Sequence, residues 1–208
     1  ILKGKGYVLG STNDRKVALE VFNPDSLTWR RLKDFPGDWV TTPVFLADDS
    51  VLYAGPGAYR EWNSTNFFRD FWKYSPTTNR WTRLRDFISV TESTNCMFIE
   101  NKIVLYDGYL REYQPSSNSW ITLSHQSLGK TYADRVSLVL NNLWYIGFGG
   151  DNSLFKYDPV TDSATEILYA APFKRSRALA FSSGGYLFIG GDPATSSYDF
   201  WMYDPSKE

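Results

Sequence analysis

The chain has 208 residues, enough to bury a substantial core in one domain or two. Its 8 Trp, 14 Tyr and 14 Phe, together with 15 Gly and 10 Pro, favour many short strands and turns over helices. A formal net charge of -1 with no Lys/Arg run excludes an electrostatic case for nucleic acid or an anionic membrane. No apolar stretch reaches the length of a membrane span, so we expect no membrane insertion in this segment.

Five segments of the chain repeat one pattern. An apolar strand ending in small residues is followed by an aromatic strand that closes on a proline or its turn. The apolar strands cover residues 7–10, 52–55, 104–108, 144–147 and 186–191. The prolines are Pro24, Pro76, Pro115, Pro159 and Pro205. A further strand precedes four of the apolar strands, at 44–47, 96–99, 136–140 and 178–181.

The first three prolines are each followed by a tryptophan and then a leucine at constant spacing. These residues are Trp29 with Leu32, Trp81 with Leu84, and Trp120 with Leu123. In the fourth unit Ala164 and Ile167 hold the two places, so that unit lacks the tryptophan. We predict structural roles for these residues, because a repeat stacks one unit on the next and needs large apolar side chains between them.

The pattern resembles the kelch repeat. The resemblance implies an all-β fold, a kelch-type β-propeller of four-stranded antiparallel blades. We predict a single domain over 1–208, with units at about 1–36, 37–88, 89–128, 129–173 and 174–208. The chain begins inside a first strand and stops in the turn before an outermost strand. We therefore expect these blades to belong to a larger or incompletely covered ring, whose parent protein carries appended domains.

Histidine and cysteine are nearly absent, which limits the possible chemistry. His125 and Cys96 are the one residue of each type, so no imidazole- or thiolate-rich metal site can be assembled within the chain. This excludes a copper oxidase of the galactose oxidase type. We predict no metal, no cofactor and no identifiable catalytic residue. The 23 Asp and Glu leave open a carbohydrate-active enzyme of epimerase or lyase type, built from channel carboxylates and arginines.

The connection between the second and third strands of unit two, residues 56–68, is much the longest of its kind. Long connections often carry function, and Tyr, Trp and Arg dominate recognition surfaces. The candidate ligand-binding residues here are Tyr59, Arg60, Glu61 and Trp62. The alternative is that the aromatic side chains fold back onto their own blade.

Further candidates lie between the blades, namely Trp39, Tyr132, Arg135 and Arg177. Arginines at these places either line the channel and bind an anionic group, or bond the backbones of neighbouring blades together. The sequence does not decide between anion binding and backbone bonding for these arginines.

These observations favour a non-catalytic recognition module that binds a protein or a glycan at the loop-rich mouth of the propeller, with no nucleic acid partner. A eukaryotic kelch substrate adaptor is a second alternative, and would need an appended BTB or F-box domain. Residues 4–8 and 199–205 resemble repeats of bacterial exported kelch proteins. That resemblance implies an extracellular or cell-surface location, with the cytoplasm as the alternative.

Overall fold

The computed structural model describes residues 1–12, 14–37, 40, 44–61, 63–89, 94–123, 128–129, 135–148, 153–167, 178–192 and 197–207. Of residues 60, 61, 192 and 197 it describes the backbone alone. The chain divides into two compact units. The first comprises Ile1–Glu92 with Pro115–Trp120, and the second comprises Ser93–Gln114 with Ile121–Glu208. Within these described ranges no helix is long and apolar enough to cross a membrane.

The first two blades and a separate hairpin form from the first 83 residues. Blade one is the sheet β1 (Gly6–Ser11), β2 (Val17–Asn23) and β3 (Thr28–Arg31). Blade two begins with β4 (Phe45–Ala47) and β5 (Leu52–Ala54). The chain then forms the hairpin β6 (Gly57–Glu61) and β7 (Ser64–Phe68), and completes blade two with β8 (Trp72–Ser75) and β9 (Arg80–Arg83). All the pairings are antiparallel.

Three further blades follow in sequence order. Blade three is β10 (Asn95–Ile99), β11 (Lys102–Tyr106), β12 (Leu110–Gln114) and β13 (Ser119–Thr122). Blade four is β14 (Val136–Leu140), β15 (Leu143–Gly147), β16 (Leu154–Asp158) and β17 (Ser163–Ile167). Blade five is β18 (Leu179–Ser183), β19 (Tyr186–Asp192) and β20 (Ser197–Tyr203), followed by a 3-10 turn at Pro205–Lys207.

The strands predicted from the repeat are present in the structure. The innermost strand of blade four covers the predicted residues 136–140, and the other predicted strands differ by one or two residues at their ends. The all-β prediction of antiparallel blades is therefore confirmed. The sheet of blade one has three strands, and an isolated bridge between Leu2 and Lys5 precedes β1.

Two tryptophans of the repeat, Trp81 and Trp120, each donate a hydrogen bond to a backbone carbonyl more than thirty residues earlier in the chain. The Trp81 indole N–H donates to the Lys33 carbonyl at 2.9 Å. The Trp120 indole N–H donates to the Arg85 carbonyl at 3.0 Å, and Trp120 is 9% exposed. Trp29 holds the same repeat position but is 56% exposed, with its ring 5.0 Å from that of Phe22.

Asparagines in the turns before these tryptophans bind the same backbone segments. Asn79 and Asn118 both have the positive φ that the turn requires, 51° and 47°. The Asn79 side-chain carbonyl accepts the Lys33 N–H at 3.0 Å, and that of Asn118 accepts the Arg85 N–H at 2.8 Å. Each outer turn therefore contributes an asparagine and a tryptophan to one pair of hydrogen bonds, a link that the repeat spacing alone does not reveal.

The second unit has two clusters of buried side chains, one on each face of blade four. Trp144, fully buried, lies in the cluster shared with blade three and donates its indole N–H to the Ser137 hydroxyl at 2.8 Å. Tyr145 lies in the cluster shared with blade five, with its ring 6.2 Å from that of Tyr203. Successive residues of β15 thus point to opposite faces, and both faces are buried, which explains the unbroken apolar run in this strand.

Candidate recognition surface

Within each blade, the connection between the second and third strands lies at one end of the sheet. Strands alternate in direction within each sheet, so these connections and the starts of the inter-blade segments lie at the same end. In the second unit, the Ser137 hydroxyl donates to the Cys96 carbonyl at 2.8 Å, and the Ser182 hydroxyl to the Val139 carbonyl at 3.1 Å. Both bonds join equivalent positions of the innermost strands β10, β14 and β18, so these three blades are aligned in register.

The long connection of blade two is an ordered hairpin and not the irregular loop expected from the sequence. Strands β6 and β7 pair from Gly57 with Phe68 to Glu61 with Ser64. The sequence between Pro56 and Phe68 has few β-branched residues and no Asn-Gly or Asp-Gly turn, which is why its strand character is hard to recognise. The candidate residues Tyr59, Arg60 and Glu61 therefore lie on a strand.

The base of this hairpin is fixed to the body of blade two. The Val44 N–H donates to the Pro56 carbonyl at 2.8 Å, and the Gly55 N–H donates to the Val44 carbonyl at 3.0 Å. Gly55 has a φ of +78°, and a Cβ there would overlap the Asp70 carbonyl, so this position requires glycine. Phe68 packs against the buried cluster that contains Phe35. The hairpin therefore leaves the blade at a defined angle.

The outer part of the hairpin carries aromatic and polar side chains at the surface. Tyr59 is half-buried and pairs with Asn66, which is exposed. Phe67 is 42% exposed. The candidate Trp62 lies outside the described residues, as do the side chains of Arg60 and Glu61. Tyr59 and Asn66 form a cross-strand pair on one face of this hairpin, and Phe67, the neighbour of Asn66 in sequence, lies on the other face.

The second-to-third turn of blade three holds a polar cluster that the sequence reading missed. The Asp107 side chain is 1% exposed, and one of its oxygens accepts the Tyr109 N–H at 3.1 Å and the Arg111 Nε–H at 3.4 Å. The Arg111 guanidinium lies 4.8 Å from the centre of the Tyr109 ring, and Tyr109 is 45% exposed. A signal was present, since Asp107 stands where the repeat has a small residue.

Two buried polar atoms at this end of blade three have no hydrogen-bond partner among the described residues. They are the second oxygen of the Asp107 carboxyl group, Oδ2, and the hydroxyl oxygen of Thr94. Thr94 precedes Asn95, which pairs with Tyr106, so Thr94 and Asp107 stand at the same end of the β10–β11 ladder. Buried polar groups are nearly always hydrogen-bonded, and such exceptions often occur at functional positions.

No model of a protein family matches the chain. Over 133 residues, 59% of the chain, it is 24% identical to Kelch-like protein 25 of Xenopus tropicalis. Over 84 residues, 38% of the chain, it is 27% identical to the N-acetylneuraminate epimerase of Salmonella enteritidis. The solved structure of YjhT superposes with a TM-score of 0.72 at 16% identity, covering 88% of this chain and 71% of that one. The chain has the kelch-repeat β-propeller fold.

The kelch segment matched here is a small part of the two curated relatives. The matched residues amount to 22% of Kelch-like protein 25 and 22% of the epimerase. The comparisons therefore establish the fold of this chain, and a shared fold does not determine its activity or its partners.

Of the four candidates between the propeller blades, Arg135 is described, and Trp39, Tyr132 and Arg177 lie outside the described residues. Arg135 is 7% exposed and donates to the Ile146 carbonyl at 3.3 Å. Its guanidinium lies 5.7 Å from the centre of the Phe155 ring. These contacts join the start of blade four to its own second and third strands, and they do not bond the backbones of two blades together.

Proposed function

We propose that this propeller is a non-catalytic recognition module that binds a protein or a glycan through the β6–β7 hairpin. The observation that carries the proposal is an ordered strand pair, fixed at its base, that presents Tyr59, Asn66 and Phe67. Aromatic rings stack on sugar faces and fill pockets on partner proteins at low conformational cost, and amides supply hydrogen bonds. We also propose an extracellular or cell-surface location, because residues 4–8 and 199–205 resemble repeats of bacterial exported kelch proteins.

A hairpin variant tests this function. Changing Tyr59, Arg60, Trp62 and Phe67 together to alanine is expected to weaken ligand binding at least about thirtyfold, the loss typical of one hot-spot side chain. Glycan-array binding and protein capture from extracellular extracts, followed by affinity measurement on the best hit, report the effect and the ligand class. Circular dichroism of the variant establishes that the blades remain folded.

The matched control is Leu27→Ala, an exposed apolar residue in the turn between the outer strands of blade one, at the end opposite the second-to-third connections. Binding should be unchanged in this variant. Equal affinity of the hairpin variant and the unaltered protein would contradict the proposal. It would indicate that the aromatic side chains of the hairpin pack onto their own blade.

A second candidate function is catalysis on an acidic sugar, and two observations favour it. One is the similarity to N-acetylneuraminate epimerases of Salmonella. The other is the buried Asp107 carboxyl group with one oxygen unpartnered by described residues, beside Arg111 and the exposed Tyr109 ring. Epimerisation involves no net oxidation, so acid–base side chains can carry it.

If this candidate is right, the protein accelerates the epimerisation of N-acetylneuraminate, followed by proton NMR. Asp107→Asn should then lower the rate by about a hundredfold or more, the usual contribution of a general acid or base. The control is Asp158→Asn, because Asp158 is an exposed turn carboxylate that accepts the Val160 N–H at 2.8 Å. No acceleration by the unaltered protein would remove the candidate and leave the recognition proposal standing.

A further inference from the structure

The first unit contains a cavity at the opposite end of the blades from the recognition hairpin. Its volume is about 220 Å³. It is lined by the first turn of blade one, with Lys3 and Lys5, and by Tyr7 and Arg30 on β1 and β3. The two turns of blade two contribute Ser50 and Thr77. These turns join first to second strands and third to fourth strands, so the cavity needs no residue of the hairpin.

Three cationic side chains line this cavity, and no carboxylate does so among the described residues. Lys3, Lys5 and Arg30 make no ion pair or hydrogen bond through their side chains to a described residue. Basic residues nearby on blade one behave differently. Arg31 pairs with Asp34 at 3.0 Å, and Lys16 pairs with Asp14 at 2.8 Å. Among the described residues, no carboxylate therefore pairs with the three cationic side chains of the cavity.

Two acidic residues, Asp48 and Asp49, precede Ser50 in this turn, and neither lines the cavity. One oxygen of the Asp48 carboxylate accepts the N–H groups of Ser50 and Val51, each at 2.7 Å, and the Ser50 hydroxyl at 3.1 Å. The other accepts the Tyr53 hydroxyl at 3.1 Å. These hydrogen bonds hold the Asp48 carboxylate within its own turn.

Tyr7 adds a hydroxyl group to the cavity. Burial raises the pKa of Tyr7, the positive charge of Arg30 opposes that rise, and both side chains line the cavity. No described residue is hydrogen-bonded to the Tyr7 hydroxyl. The neighbouring Tyr74 differs, because its hydroxyl donates to the Asn79 side chain at 2.7 Å. Tyr7 is therefore available as a neutral donor in the cavity that Arg30 also lines.

The first turn of blade one holds the two lysines in place. Lys3 and Gly4 both have positive φ, 49° and 72°, as in the tight turns that connect twisted strands. Backbone hydrogen bonds of 3.0 and 3.1 Å join Leu2 and Lys5 across this turn. The backbone from which Lys3 and Lys5 extend is thus ordered before any ligand arrives, which lowers the entropic cost of binding.

We propose that this cavity binds the phosphate group of a small phosphorylated molecule. The site would take the anion between Lys3, Lys5 and Arg30, with the Tyr7 and Thr77 hydroxyls as donors. The cavity holds about seven waters at roughly 30 Å³ each, room for a phosphate and a short polar extension. Convergent cations and neutral donors are the usual means of phosphate recognition.

The test is calorimetric titration at low ionic strength with inorganic phosphate, glucose phosphate and unphosphorylated glucose. Both phosphates should bind, glucose should not, and affinity should fall as sodium chloride is raised. Arg30→Gln should weaken phosphate binding about tenfold, since one charge-assisted contact is lost. Tyr7→Phe should weaken it less, by about threefold, because a neutral hydrogen bond is lost.

Arg31→Gln is the matched control, because Arg31 is adjacent on β3, points to the other face and pairs with Asp34. Its phosphate affinity should match that of the unaltered protein. Equal weakening in the Arg30 and Arg31 variants, or binding of glucose as tight as that of glucose phosphate, would overturn the proposal. Lys5→Gln repeats the test if Arg30→Gln fails to fold. The hairpin variant should bind phosphate normally, so failure of one proposal leaves the other intact.

Discussion

Replacing Trp120 with alanine is expected to lower the free energy of unfolding by about 3–5 kcal/mol, the range for truncating a buried tryptophan. The indole is almost fully buried, its ring centre lies 5.0 Å from that of Phe71 and 4.9 Å from that of Phe87, and its N–H binds the Arg85 carbonyl. The substitution removes these contacts together and leaves a cavity beside an unpaired carbonyl. Urea unfolding followed by far-ultraviolet circular dichroism measures the change.

Trp29→Ala is the control for that experiment, because Trp29 occupies the same repeat position with most of its surface in solvent. Its main aromatic contact is the Phe22 ring, 5.0 Å away, and we expect a loss of about 1 kcal/mol or less. Comparable losses for the two variants would contradict the assignment of the Trp120 contacts as the source of stability.

Gly147→Ala is expected to destabilise the protein by about 1–3 kcal/mol, the range for overpacking a core. A Cβ at Gly147 would overlap the Ser153 carbonyl and approach the Leu154 Cα to 2.8 Å. Both obstacles are backbone atoms, which a rotamer change cannot move aside. The substitution therefore forces the second-to-third turn of blade four to shift, and the urea midpoint of unfolding should fall.

Gly10 is the next-to-last residue of β1, the corresponding strand of blade one, but no described atom lies within 4 Å of a Cβ built there. Gly10→Ala should therefore be neutral, or stabilising by about 0.4–1 kcal/mol, because alanine restricts the unfolded chain. A large loss of stability at Gly10, or none at Gly147, would show that backbone crowding does not explain these glycines.

The periodic part of the fold could be predicted from the sequence because each unit repeats the same chemistry. A proline follows the third strand in all five units, and a tryptophan stands five residues after each of the first three prolines, which excludes coincidence. The repeat position alone does not predict the exposure of Trp29, because it shares that position with the buried Trp120. Trp81 and Trp120 bond to segments 48 and 35 residues earlier in the chain, and the same distances from Trp29 fall before residue 1.

The candidate sites were less accessible to sequence reasoning. The pairing of β6 with β7 is hard to predict because residues 56–68 contain one β-branched residue, Thr65, and no Asn-Gly or Asp-Gly turn. Asp107 looks like an ordinary turn residue until its burial is known. The basic cavity joins Lys3 to Thr77 across two blades, so a net charge of -1 and the lack of a basic run gave no sign of it. Arg135 was named as a candidate because of its position between two repeat units, which is a local signal in the sequence.

The path of the chain through blade two has a consequence for variation of this surface. β5 pairs directly with β8, and Ala54 faces Trp72 across the ladder, so the backbone leaves and re-enters the sheet at adjacent points. The intervening segment pairs with itself, and its length can change without altering the register of the blade. This position is therefore suited to grafting, where foreign binding sequences could replace the hairpin tip and give the same scaffold a new specificity.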